Sequence, residues 1–166
     1  MIDPIKILGI CGSIRANSFN LTTLTTAAES APDGVTIDIF SRMPEIPPFN
    51  QDMEADPPEV VKGLKKHIRQ CDAILIATPE YNYSLPGVLK NALDWTSRPL
   101  SQNPWDGKLA AIMGASESAI GTARAQSHLR QIFVYLNVIT FPQPEVIIAD
   151  ADDKFDEAGH LIDGQT

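Results

Sequence analysis

Short runs of apolar residues alternate along this chain with longer stretches whose apolar positions recur every three or four residues. Residues 5–11 are almost unbroken in apolar character, as expected of a strand covered on both faces. Residues 20–28 then read as a helix, with Leu21 and Leu24 facing inward. Val35, Ile37 and Ile39 alternate with polar neighbours over 35–40 and predict a second strand, although Phe40 departs from the alternation. Val60, Leu64 and Ile68, at four-residue steps, predict a helix over 59–70. A third strand is expected at 72–78 and a fourth at 108–115. Between them a helix spans 85–96, with Pro86 in its first turn, where the missing N–H costs nothing. A long amphipathic helix follows at 122–136. The segments 138–141 and 145–149 are both apolar and β-branched, and read as one fifth strand interrupted at Pro142 and Pro144.

Strands alternating with helices predict one three-layer α/β domain over 1–166, a parallel five-stranded sheet with helices on both faces. The order 2-1-3-4-5 would set the first and third strands side by side at the switch point, where ligands bind beyond the carboxyl ends of the strands. Two informative loops leave those strands, 12–20 and 78–87. A third, with small residues over 114–121, follows the fourth strand and allows close backbone approach. The connection 43–58 carries Pro44, Pro47, Pro48, Pro57 and Pro58, which forbid regular structure there. Long ordered loops of this kind are often functional or lie in an interface.

The first loop suits a phosphate. Backbone N–H groups and the positive dipole end of the first helix favour an anion, with Ser13, Ser18 and Asn20 as neutral donors and Arg15 as a charged fork. Ser18 or Asn20 would equally serve as the helix cap. The second loop suits a flat ring: Pro79, Glu80, Tyr81 and Asn82 would present backbone groups along the edge of a planar heterocycle, and Ser116 and its neighbours would close the other side. Tyr81 and Tyr83 also fit packing or a subunit contact. Together the loops suggest a mononucleotide with a planar aromatic head.

Composition narrows the alternatives. The net charge of −8, with acidic residues gathered over 54–59 and 150–157, would repel a polyanion, so nucleic-acid binding is not expected. No apolar run approaches a spanning helix, and no membrane association is expected. The start, Met1-Ile2-Asp3-Pro4, shows no secretory pattern. Cys11 and Cys71 are expected as buried free thiols, and a cytoplasmic location follows. Neither a nucleoside-triphosphate loop nor a dinucleotide glycine motif is present. Ser13 and Ser84 lack a His-Asp partner pattern, and His67, His128 and His160 are scattered without metal-ligand spacing.

The stretch Gly12-Ser13-Ile14-Arg15-Ala16-Asn17-Ser18-Phe19-Asn20 resembles the first signature of the NADPH-dependent FMN reductase family, and Pro79 through Trp95 resembles its second. Ser97-Arg98-Pro99 and the run from Arg124 to Arg130 extend the likeness, which covers about residues 5 to 150. The resemblance implies a flavodoxin-like fold and non-covalent FMN. Ser13, Arg15, Ser18 and Asn20 would hold its phosphate, with Phe19 a further cofactor-binding residue. Pro79, Glu80, Tyr81 and Asn82 would line the isoalloxazine, with Ser116 on the third wall. It further implies NADPH or NADH as co-substrate, hydride passed through FMN to quinones, azo compounds or chromate, and no obligatory catalytic side chain. Homodimers or homotetramers are implied, with the helix over 85–95 and the helix carrying Arg124 and Tyr135 as interface candidates. A second class, a flavin-binding electron carrier or redox sensor without its own NAD(P)H turnover, would keep the same loops. A phosphate-accepting receiver would need acidic groups after the first strand and an Asp after the third, where Cys11-Gly12-Ser13 and Thr78-Pro79-Glu80 stand. Members of the family continue past the fifth strand into a closing helix, and 155–166 lacks the amphipathic length for one.

Overall fold

The computed structural model describes residues 4–156 and 159–164. The readings made above for Met1, Ile2 and Asp3, and for 157, 158, 165 and 166 within the terminal segment, lie outside the described residues. The strands are β1 (Ile5–Cys11), β2 (Val35–Ile39), β3 (Ala73–Ala77), β4 (Leu109–Ala115), β5 (Ile139–Thr140) and β6 (Val146–Ile148). The helices are α1 (Phe19–Glu29), α2 (Glu59–Gln70), α3 (Gly87–Thr96) and α4 (Ala123–Leu136). All strand pairs are parallel, in the order β2-β1-β3-β4-β5, with β6 also on β4.

The interrupted last strand is two pieces sharing one edge. β5 pairs with Leu109 and Ala110 at the start of β4, and β6 with Met113 to Ala115 at its end. Pro142 and Pro144 stand between the pieces and cannot donate to the ladder.

Apolar side chains leave the sheet on both sides. Leu8, Ile10, Ile74, Ile76, Ala110 and Ile112 meet α2, α3 and α4 in the main core, which includes Leu64, Ile68, Leu93, Trp95, Leu129 and Phe133. On the other face Cys11, Ala77 and Met113 meet Leu24 of α1. Glu59 in the first turn of α2 and His67 and Arg69 in its last turn complement the helix dipole.

The inward face of α1 differs from the expected one. Leu24 is buried, but Leu21 lies at the surface, and Asn20 and Thr23 take the inner positions. The helix is rich in threonine and weakly amphipathic, so apolar spacing alone misplaces its face. The other helix bounds shift slightly. α3 begins at Gly87, with Pro86 at its N-cap.

The proline-rich connection holds two single 3-10 turns, Met43–Glu45 and Gln51–Met53, where no regular structure was expected. It is clamped to α3. The Pro47 carbonyl accepts from Asn91 Nδ2 at 2.9 Å and Trp95 Nε1 at 2.8 Å, and Phe49 meets Trp95 edge to face at 5.0 Å. After β6 the chain makes a 3-10 turn at Ala151–Asp153 and an antiparallel bridge between Phe155 and Leu161. No helix longer than that turn occurs among the described residues beyond α4.

Candidate functional site: the cleft between β1 and β3

The loops after β1, β3 and β4 converge because those strands are neighbours in the sheet. They enclose a cleft of about 240 Å3 lined by Ser13, Arg15, Ser18, Phe19, Asn20, Pro79, Glu80, Tyr81, Ala115, Ser116 and Glu117. Nine of the ten residues singled out from the sequence therefore border one cavity. Asn82 stands one residue beyond the lining.

The phosphate end is built on the start of α1. Ser18 is the N-cap, and its Oγ accepts from Leu21 N–H at 3.4 Å. Thr22 N–H bonds the Ser18 carbonyl. The N–H groups of Phe19 and Asn20 have no protein acceptor among the described residues. They are helix-terminal donors of the kind that receive anions. Ser13 is buried beside them, its Oγ accepting from Arg15 N–H at 3.3 Å. Arg15 is the cation in the lining. Orphaned N–H groups, a charged fork and hydroxyls make a donor set that fits a phosphate ester.

The Asn20 side chain is committed elsewhere. Its Nδ2 donates to the Ala115 carbonyl at 2.8 Å, and its Oδ1 accepts from Ala115 N–H at 2.9 Å. This pair of bonds ties α1 to the last residue of β4 across the floor of the cleft. Of the two caps weighed above, Ser18 is the one observed.

The second wall is a tight hairpin. Tyr81 and Ser84 exchange both backbone hydrogen bonds, at 2.9 and 3.1 Å, around Asn82 and Tyr83, whose φ values are 50° and 66°. Two successive positive φ angles match a type I′ turn, and a tyrosine there is uncommon. The turn is braced from α4. Glu80 accepts from Arg124 N–H at 2.9 Å and Ala125 N–H at 3.0 Å, and it pairs with Arg124 Nη1 at 3.2 Å. The Arg124 guanidinium lies 4.0 Å from the Tyr83 ring centroid. The Glu80 side chain thus caps α4 from outside, and Thr122 at the N-cap makes no side-chain cap bond. Glu80→Ala is expected to cost about 1–2 kcal/mol, from loss of a charged helix cap. Its thermal midpoint, read by circular dichroism, falls a few degrees, and the Tyr83 turn loosens.

Pattern reasoning missed one pair. Ser84 Oγ lies 3.0 Å from His128 Nδ1. A separation of 44 residues with no local motif gave no signal in the sequence. Among the described residues no carboxylate bonds the other ring nitrogen, so the third member of a charge-relay set is lacking. No group of three metal-ligating side chains occurs among the described residues, nor any helix long and apolar enough to cross a membrane.

Cys11, at the end of β1, and Cys71, after α2, are buried and free. Burial raises the pKa of both thiols above the usual value. Both are expected to resist alkylation at neutral pH in the native protein and to react fully in denaturant. A thiol count before and after unfolding checks this.

A parallel α/β sheet of this strand order, with a cleft at its switch point, defines a flavodoxin-like fold. The profile of the NADPH-dependent FMN reductase family matches residues 5–153, and the chain belongs to that family. It is 49% identical over 164 residues to an NAD(P)H-dependent FMN reductase of Pseudomonas aeruginosa, covering 98% of this chain and 88% of that protein. It is 44% identical over 162 residues to a 2-hydroxy-1,4-benzoquinone reductase of a Burkholderia species, with coverage of 98% and 88%. Among solved structures it is similar to FerB, a flavoenzyme NAD(P)H:(acceptor) oxidoreductase of Paracoccus denitrificans. There the TM-score is 0.88 at 34% identity, covering 97% of this chain and 88% of that one.

Proposed function

We propose that this protein is an FMN-dependent NAD(P)H oxidoreductase that reduces quinones or similar planar acceptors. The observation that carries the reading is the meeting of the three loops in one cleft at the start of α1, where the Phe19 and Asn20 N–H groups have no protein acceptor among the described residues. Bound there, FMN supplies the hydride chemistry between NAD(P)H and acceptor. The chain's part is to bind and orient. Ser13, Arg15, Ser18 and the N–H groups of Phe19 and Asn20 receive the phosphate. Pro79, Glu80 and Tyr81, with Asn82 at the turn, set the ring edge, and Ser116 faces it from the loop after β4. No side chain is assigned as a proton donor.

We further assign the protein to a reducing compartment, the cytoplasm, supported by its two buried free thiols. A homodimer or homotetramer is supported by the exposed apolar side chains Val134, Tyr135, Ile139 and Phe141 near the end of α4 and β5.

The deciding experiment follows NADPH and NADH consumption by FMN-loaded protein with benzoquinone. Steady turnover that requires both FMN and quinone supports the enzyme. Tight FMN binding without NAD(P)H consumption would instead make it a carrier or sensor.

A further inference from the structure

Arg15 sits in an exposed loop, yet its position matters for the phosphate end of the cleft. Among the described residues it makes no ion pair. Its guanidinium lies over the Phe19 ring, the carbon 5.6 Å from the ring centroid. Phe19 in turn rests on Phe155, with ring centroids 5.2 Å apart and planes 32° apart.

Phe155 is anchored. It is buried in a small apolar cluster with Ala115, Ile148 and Ala151, against which Phe19 and Leu161 pack. That cluster is hydrogen-bonded to the third loop. Ser116 N–H donates to the Ile148 carbonyl at 3.0 Å, and Ala151 N–H donates to the Ser116 carbonyl at 3.1 Å. The bridge from Phe155 to Leu161 closes it.

Behind Arg15 lies a second cavity, about 640 Å3, which Arg15 and Phe19 also line and where Glu117 and Asp156 stand. Glu117 borders both cavities, and Asp156, whose carboxylate bonds His160, lines the second alone.

We propose that Phe155 is a positioning residue for cofactor binding, acting through Phe19 to hold Arg15 at the phosphate end of the cleft. The proposal rests on the reading of Arg15 as a phosphate ligand. It places a determinant of affinity in the segment after the last strand, 140 positions from the arginine it serves (155 less 15).

Riboflavin, which lacks the phosphate, separates this role from general support of the fold. Apoprotein is titrated with FMN and with riboflavin by flavin fluorescence, for wild type, Phe155→Leu, Arg15→Ala and the double variant. Phe155→Leu is expected to raise the Kd for FMN about fivefold, the scale of one cation–ring contact, and to leave riboflavin unchanged. Arg15→Ala raises the FMN value about tenfold, and adding Phe155→Leu to it changes nothing further. Phe155→Tyr, which keeps the ring, restores wild-type binding. Should the leucine variant fold poorly, Phe155→Met carries the same comparison. Equal weakening of both flavins, or a full additional loss in the Arg15→Ala background, would overturn the positioning role while leaving the phosphate assignment standing. An Arg15→Ala protein that still prefers FMN over riboflavin to the wild-type extent would remove the phosphate assignment itself, and the proposal with it.

Discussion

Gly114→Ala is expected to lower the thermal midpoint by about 8 °C, from a loss of about 3 kcal/mol. A methyl group on Gly114 would meet the Thr78 carbonyl oxygen at 2.3 Å and Thr122 Oγ1 at 2.2 Å. The first of these is backbone and cannot rotate away. Thr78 N–H is bonded to the Met113 carbonyl at 3.0 Å, so β3 and β4 are pinned together just where the two ring-facing loops depart. Moving them apart shifts Pro79 and Ser116 together, and FMN affinity is expected to fall with stability. Gly63→Ala provides the contrast. That glycine is inside α2 with nothing within 4 Å of an added Cβ. The substitution is expected to stabilise by about 0.5–1 kcal/mol, through helix propensity alone. Differential scanning calorimetry of both variants reads the opposite signs.

Asn20→Leu is expected to cost about 3 kcal/mol, because it strands two buried backbone groups at once. The Ala115 N–H and carbonyl both bond the Asn20 amide, and Asn20 is only 3% exposed. Leucine has the volume but neither donor nor acceptor, and it leaves little room for water to substitute. Asn20→Asp keeps the acceptor for Ala115 N–H and loses the donor to the carbonyl. A carboxyl there regains the donor only when protonated, so its pKa is raised by the fold. Its stability deficit is smallest in acid and grows as pH rises through that pKa. Urea unfolding of both variants across pH separates the two bonds.

The fold was legible because a parallel sheet covered on both faces writes itself as apolar runs. Residues 5–11 and 59–70 coincide with β1 and α2. Residues 20–28 located α1 but not its face, since Asn20 is buried for two specific hydrogen bonds while Leu21 lies at the surface, 36% exposed. Apolar spacing carries no record of such a bond. The site was legible in part for a related reason. Ser13, Arg15 and Ser18 are polar residues crowded after a buried strand, where local sequence and topology coincide. The hold of Glu80 on α4, the Ser84–His128 pair and the Phe155–Phe19–Arg15 stack each join residues far apart in the chain. No periodicity encodes them, and only the folded chain brings them together.

A structure of the protein soaked with FMN is the decisive observation. The phosphate should lie at the start of α1, within hydrogen-bond reach of Ser13, Arg15 and the Phe19 and Asn20 N–H groups, with the ring along Pro79 to Tyr81 and facing Ser116. A flavin bound anywhere else, or loops 12–20 and 79–82 that leave it untouched, would contradict the account.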